Sequence, residues 1–296
     1  MSVATHQAIV IGAGFAGLSA AVELAERGVQ TALVDDGYLG GLIANVGVLE
    51  APGPHDSCSG ADLAGDLLGQ ALEVGADYRM GSVTALEPQD GVWSLPELEI
   101  AAPSVVLATG ARLRRLGVPG EERLAGLGVS QCAFCDGGLY VGQSVVVVGG
   151  GDAAFQEALH LAEIGCAVTL LLRGERPRAR QGFVERAAAL TQLTETEVLQ
   201  ILGTDGVEAV RVRNSQTGAE ETFATRAVFV FVGLVPQSTL ASPDAARDAS
   251  GALKADASRR TAAGLYAIGA VRAGFGGGLA DATDDARAVA EAIATG

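Results

Sequence analysis

The chain has 296 residues, long for one hydrophobic core, so two domains are expected. A net charge of −15 repels nucleic acid and anionic membrane alike and sets both aside as main partners. No apolar run approaches the roughly 18 residues of a membrane helix, since the longest, residues 227–235, has only strand length. With 49% hydrophobic but only 4% aromatic residues, the interior must be built from aliphatic side chains and alanine. Such a composition suits buried parallel strands packed against helices.

The N-terminus lacks a basic segment followed by an apolar one, so no signal peptide and a cytoplasmic location are expected. In that compartment four cysteines do not suggest a disulfide framework, and Cys58 and Cys166 read as packing residues.

Residues 8–11 form an apolar strand that runs into Gly12-Ala13-Gly14-Phe15-Ala16-Gly17. Leu18, Ala21, Val22 and Ala25 then recur at helical spacing until Gly28, and a strand over residues 31–34 ends on Asp35. Short alternating runs over residues 81–108, turning near Asp90 and Gly91, predict a small antiparallel layer. Pro119-Gly120 suits a crossover, and Cys132-Ala133-Phe134-Cys135-Asp136 follows it.

The first pattern then returns. Residues 145–148 are apolar, Gly149-Gly150-Gly151-Asp152-Ala153 opens a helix bearing Phe155, Leu159 and Ala162, and residues 168–172 form the next strand. A second antiparallel layer is expected over residues 207–230, broken at 214–218. Ser242-Pro243 suits the return to the first domain, which the helix over residues 280–293 completes. The expected class is α/β, with two Rossmann-like, three-layer ββα nucleotide-binding domains, the second inserted into the first. The expected bounds are 1–116 with 245–296, and 117–244 for the insert that carries the cysteine pair.

Each glycine motif follows an apolar strand and opens a helix, which is the context a dinucleotide needs. Gly12 permits the tight turn, Gly14 lets a pyrophosphate approach, and Gly17 lets helix and strand pack. The helix start supplies unpaired N–H groups, and Asp35 sits where a carboxylate accepts ribose hydroxyls. At the second site Leu172 stands where the acid would be, and Arg173 follows, with Arg176, Arg178 and Arg180 nearby. An acid there would repel a 2′-phosphate and arginine would pair with it, so NADP is favoured over NAD. An exposed basic turn without a ligand is the alternative.

Two cysteines three apart can close a disulfide or hold a metal. Zinc usually takes four ligands, whereas this chain has no second C-x-x-C, and His6, His55 and His160 are scattered, so no metal is expected. A redox-active dithiol is the sharper reading, with Asp136 able to relay its proton. Two inert buried cysteines are the bland one.

In this order the motifs resemble the low-molecular-weight thioredoxin reductase family over nearly the whole chain. The resemblance rests on the first glycine turn, Ala108-Thr109-Gly110-Ala111, the run Cys132 to Gly137, the second glycine turn, and residues 233–236. It implies FAD at Gly12, Gly14, Phe15, Ala16, Gly17, Asp35, Gly41, Ala108, Thr109, Gly110, Gly269 and Ala270. It implies NADPH at Gly149, Gly151, Asp152, Ala153, Arg173 and Arg178. Electrons would pass from NADPH through flavin to Cys135, the thiol nearer the flavin. Cys132 would exchange with an outside partner, a thioredoxin-like protein or a small-molecule disulfide, and Asp136 would act as acid and base. A homodimer is implied as well.

Three departures from the family stand out. Leu172-Arg173-Gly174 replaces its His-Arg-Arg run, although Arg178 fits the third arginine. Ala270 replaces an aspartate, removing a charge-assisted hydrogen bond of about 1.5–3 kcal/mol. Gly277-Gly278-Leu279 replaces Arg-Gln-Ala ahead of the last helix, where Asp281, Asp284 and Asp285 read as residues answering the helix dipole. These departures also suit two further readings: an FAD- and oxygen-dependent oxidase of a small dithiol, which needs no NADPH, and a non-catalytic nucleotide-binding or redox-sensing relative.

Overall fold

The computed structural model describes residues 4–49, 58–89 and 91–295. The chain divides into two compact units, residues 1–112 with 235–296, and residues 113–234. Among the described residues there are six α-helices: α1 (Phe15–Glu26), α2 (Gly60–Glu73), α3 (Ala133–Asp136), α4 (Asp152–Glu163), α5 (Gln181–Arg186) and α6 (Leu279–Ala294).

The discontinuous unit is built on a six-stranded sheet. Its order is Arg260–Ala262, Leu265–Ala267, Ser104–Leu107, Ala8–Ile11, Thr31–Asp35, Asp77–Met80. All neighbours in it are parallel except the first pair. Side chains alternate across a strand, and here the two faces are both apolar. Ala8, Val10, Leu33 and Val106 pack on one face with Leu18 and Leu24 of α1 and Ala286 and Val289 of α6. Ile9, Ile11, Val34, Val105 and Leu107 pack on the other with Leu95, Ile100 and Ala102. Those last residues belong to a smaller sheet ordered Ala4–Thr5, Ile100–Ala102, Val92–Leu95, Glu87–Gln89. Helices, parallel sheet and small sheet make three layers.

The inserted unit repeats the plan. Its parallel sheet runs Val129–Ser130, Ala227–Val230, Ser144–Val148, Ala167–Leu171, Thr191–Leu193. Val145, Val147, Leu170 and Phe229 meet Phe155, Ala158 and Leu161 of α4 on one face. Val146, Val148, Leu171 and Val230 meet Val198, Ile201, Val210 and Val212 on the other. Those come from the antiparallel strands Thr196–Leu202 and Ala209–Asn214, with Glu220–Ala224 at the edge. Phe155 and Phe229 are wholly buried, and burying a side chain of that kind stabilises by about 1.5–3 kcal/mol.

Two strands expected in the antiparallel layers lie elsewhere. Ser104–Leu107 pairs in parallel with Ala8–Ile11, and Ala227–Val230 pairs in parallel with Ser144–Val148. Val105–Leu107 and Ala227–Val230 are apolar runs whose two faces are both covered, which a parallel sheet requires and a half-exposed layer does not. The turn expected at Asp90 falls on a residue outside the described ones, as does His55. No described helix is long and apolar enough to cross a membrane.

Candidate active site

The first glycine turn is held so closely that side chains are excluded. Gly12 has φ +107°, and a Cβ there would lie 2.4 Å from the Ala108 carbonyl oxygen. A Cβ on Gly17 would lie 1.9 Å from the Gly12 oxygen. Gly14, by contrast, is open, with its nearest prospective contact at 3.9 Å. It is also the N-cap of α1, which has neither a side-chain cap nor an acidic residue in its first turn. The helix start therefore presents unneutralised N–H groups beside open backbone, the surroundings that a pyrophosphate needs. Gly40 donates its N–H to the Ala13 oxygen at 2.8 Å and bridges to Gly14, which brings Gly41 alongside the turn.

Asp35 is bonded within its own unit. Its Oδ2 accepts the Ala13 N–H and its Oδ1 the Gly37 N–H, both at 2.8 Å. The carboxylate thus braces the glycine turn and keeps further lone pairs for a ligand. The segment Ala108, Thr109, Gly110 is fixed from afar by Gln237. The Thr109 hydroxyl donates to the Gln237 oxygen at 2.6 Å, the Gln237 amide returns a bond to the Thr109 oxygen at 3.0 Å, and the Gln237 N–H reaches the Gly110 oxygen at 2.9 Å.

At Ala270 the local chemistry is unexpected. Asp285, in the second turn of α6, has no solvent exposure. It accepts the Gly269 N–H at 2.9 Å, both Nε and Nη2 of Arg272 at 2.9 Å, and Nε of Arg259 at 2.7 Å. Gly269 packs against α1, where an added Cβ would lie 2.8 Å from that of Ala16. The dipole reading holds for Asp281, which accepts the Gly278 N–H at 3.0 Å. It fails for Asp285, which lies beyond the first turn where the dipole acts and is instead the buried anchor of the turn at Gly269–Val271. Ala270 lacks a carboxylate, but the turn that carries it is held by one.

The second glycine turn lies in the inserted unit. Gly149 approaches the Phe231 carbonyl, its prospective Cβ at 2.3 Å, and Gly151 is open and caps α4 without a side-chain bond. Asp152 accepts from Arg180 N and Nε at 2.7 and 2.6 Å, so its charge at the helix start is offset. The Gly150 oxygen accepts the N–H groups of Arg178 and Ala179 at 2.6 and 3.0 Å, which folds the arginine segment back over the turn. Arg173, Arg176 and Arg178 are exposed, and no carboxylate pairs with them among the described residues. Leu172 is buried in the α4 core, so this departure from the family pattern lies inside the unit.

Cys132 and Cys135 are joined in a disulfide with a Cα–Cα distance of 5.3 Å. Cys132 caps α3 and is buried, whereas Cys135 is exposed. This accessibility runs opposite to that of an exchanging Cys132. The Cys132 sulfur accepts the Cys135 N–H at 3.1 Å. The Ser130 hydroxyl donates to Asp136 Oδ2 at 2.6 Å and accepts the Cys132 N–H at 3.1 Å, tying the acid to the pair. Glu157 of α4 accepts the Ala133 N–H at 2.9 Å, and burial holds its carboxyl above the ordinary glutamate range, against the opposing effect of the backbone amides. Among the described residues no group of three or more His, Cys, Asp and Glu forms a metal site.

Sequence reading missed Ser130, Glu157, Arg259 and Arg272, and gave Asp285 the role of answering the helix dipole instead of anchoring the turn. For the two acids, Glu157 and Asp285, a signal exists. Glu157 shares a helical stripe with Ala154, Ala158 and Leu161, and Asp285 shares one with Ala282, Ala286 and Val289, all buried. An acid in an apolar stripe needs a buried partner.

The model of the family described as pyridine nucleotide-disulphide oxidoreductase matches residues 6–296. The thioredoxin reductase of Treponema pallidum is 35% identical over 297 residues, covering 98% of this chain and 96% of the relative. That of Mycolicibacterium smegmatis is 39% identical over 255 residues, covering 84% and 82%. The crystal structure of Lactococcus lactis thioredoxin reductase in its FR conformation superposes with a TM-score of 0.93 at 30% identity, over 97% of both chains. The chain therefore belongs to the low-molecular-weight thioredoxin reductase family of the pyridine nucleotide-disulphide oxidoreductases, as a disulfide oxidoreductase whose redox pair is Cys132 and Cys135.

Proposed function

We propose that the protein is an NADPH-dependent flavoprotein that reduces an external disulfide, with FAD in the discontinuous unit and NADPH in the inserted one. The observation that carries this reading is the disulfide itself, with one exposed cysteine and a carboxylate held beside it through Ser130. The residues fit both nucleotides: Gly14 and Gly151 are open ahead of uncapped helix starts, and Arg173 and Arg178 are available for a 2′-phosphate. When bound, the flavin supplies the two-electron relay between the reduced nicotinamide and the cysteine pair.

The chain's own residues then do the exchange. Once the pair is reduced, the exposed Cys135 thiolate attacks one sulfur of the acceptor and the first thiol leaves. Cys132, its developing charge supported by the Cys135 N–H, attacks the Cys135 sulfur. The second thiol leaves and the Cys132–Cys135 bond closes. Asp136, fixed by Ser130, carries the protons between these sulfurs. The sum is one NADPH, one proton and one disulfide giving NADP and two thiols. Phe134 and Leu139, 53% and 71% exposed, flank the pair and favour a protein acceptor of the thioredoxin type over a small polar disulfide.

The test is NADPH oxidation by the flavin-loaded protein with a thioredoxin and with low-molecular-weight disulfides as separate acceptors. The expected result is acceptor-dependent oxidation with two thiols released per NADPH. Oxygen uptake driven by a dithiol without NADPH would contradict the reading and support the oxidase.

A further inference from the structure

The short helix α3 offers its first amides, those of Ala133, Phe134 and Cys135, at the end where Cys132 sits. In a C-x-x-C turn such amides stabilise a thiolate and lower its pKa. Here they are divided. The Cys135 N–H goes to the Cys132 sulfur at 3.1 Å. The Ala133 N–H goes to Glu157 Oε2 at 2.9 Å. Glu157 reaches this position from the apolar face of α4, between Ala154 and Leu161, and no Lys, Arg or His pairs with it among the described residues. Asp136 adds a second acid at the other end of the motif.

We propose that Glu157 is a positioning residue that sets the redox potential of the Cys132–Cys135 pair. It occupies one of the amides a thiolate would use, that of Ala133, and places a negative charge beside it, so the thiolate is disfavoured and the dithiol is strongly reducing. The half-reaction is one disulfide plus two electrons and two protons giving two thiols. Any loss of a proton from the reduced pair stabilises that form, and Glu157 suppresses this loss. The role fits an enzyme that must deliver electrons outward rather than retain them. The inference rests on Cys132 and Cys135 being the redox pair, and its test uses no NADPH, so failure of the reductase reading leaves it separately decidable.

The experiment equilibrates the full-length, flavin-loaded protein with reduced and oxidised dithiothreitol, anaerobically at pH 8. In this exchange one dithiol is oxidised for each disulfide reduced. After acid quench and alkylation, the peptide containing Cys132 and Cys135 is quantified by mass. Glu157→Gln, which keeps an acceptor but removes the charge, is expected to move the equilibrium about tenfold toward the dithiol, about 30 mV upward. Glu157→Ala is expected to move it in the same direction, and carries the test should the Gln variant not fold. Glu163→Gln, which changes an exposed acid on the same helix, is expected to leave it unchanged. A Gln variant within twofold of the wild type overturns the proposal. So does a shift confined to the Ala variant, which would assign the effect to helix geometry rather than charge.

Discussion

Asp285, without any solvent exposure, accepts the Gly269 N–H at 2.9 Å, and this bond joins α6 to the turn that carries Ala270. Arg272 and Arg259 complete the coordination of the carboxylate. Because Gly269 also packs on Ala16, the chain of contacts ends at the first turn of α1, within the first glycine motif.

Asp285→Ala leaves two arginines unpaired in a largely buried cluster. Removing one partner of such a pair costs about 3–5 kcal/mol, which corresponds to a fall in Tm on the order of 10 °C. The variant is expected to melt earlier and to lose FAD at lower temperature, measured by circular dichroism and released flavin fluorescence. Unchanged melting would remove Asp285 from the account of the turn.

Gly17 and Gly65 make opposite predictions for one substitution. A Cβ on Gly17 meets the Gly12 oxygen at 1.9 Å, whereas at Gly65 in α2 nothing lies within 4 Å. Gly17→Ala is expected to abolish flavin content or solubility. Gly65→Ala is expected to stabilise by about 0.5–1 kcal/mol, read by chemical denaturation.

Arg178→Ala tests the 2′-phosphate assignment. Loss of a charge-assisted bond of about 1.5–3 kcal/mol raises the KM for NADPH by about ten- to a hundredfold and leaves that for NADH little changed. Equal effects on both nucleotides would show that Arg178 reads no phosphate.

Cys135→Ser is expected to abolish disulfide turnover while leaving flavin reduction by NADPH intact, in single-turnover absorbance measurements. Wild-type turnover in that variant would place the pair outside the mechanism.

Burial raises the folded-state pKa of Glu157 above its ordinary 4.5. The folded protein therefore binds more protons than the unfolded chain in the window above that value, and this group's contribution to stability falls as pH rises through it. Glu157→Gln lacks this slope. The Tm difference, variant minus wild type, is expected to grow between about pH 4.5 and pH 8. A constant difference would show that the carboxyl titrates alike in both states.

Much of the fold was legible because its strongest elements are local. The strand, glycine turn and helix of each unit are written contiguously, and Thr31–Asp35 and Ala167–Leu171 follow where the pattern puts them. Ser104–Leu107 and Ala227–Val230 join other sheets than expected because a short apolar run states that it is buried, not which sheet it joins. The cysteine pair and Asp136 were legible from spacing. Gln237 was not, because its bonds to Thr109 span 128 positions and leave no local trace. Glu157 and Asp285 stood in view as acids within apolar stripes, but their partners came from other elements and only tertiary packing names them.

Anaerobic mixing of the purified, flavin-loaded protein with NADPH, followed by visible absorbance and alkylation of Cys132 and Cys135, tests the central claim most directly. The account predicts that the flavin band bleaches and that both cysteines then become alkylated. A flavin band that NADPH leaves intact, but a dithiol bleaches, would contradict it and reverse the direction of electron flow.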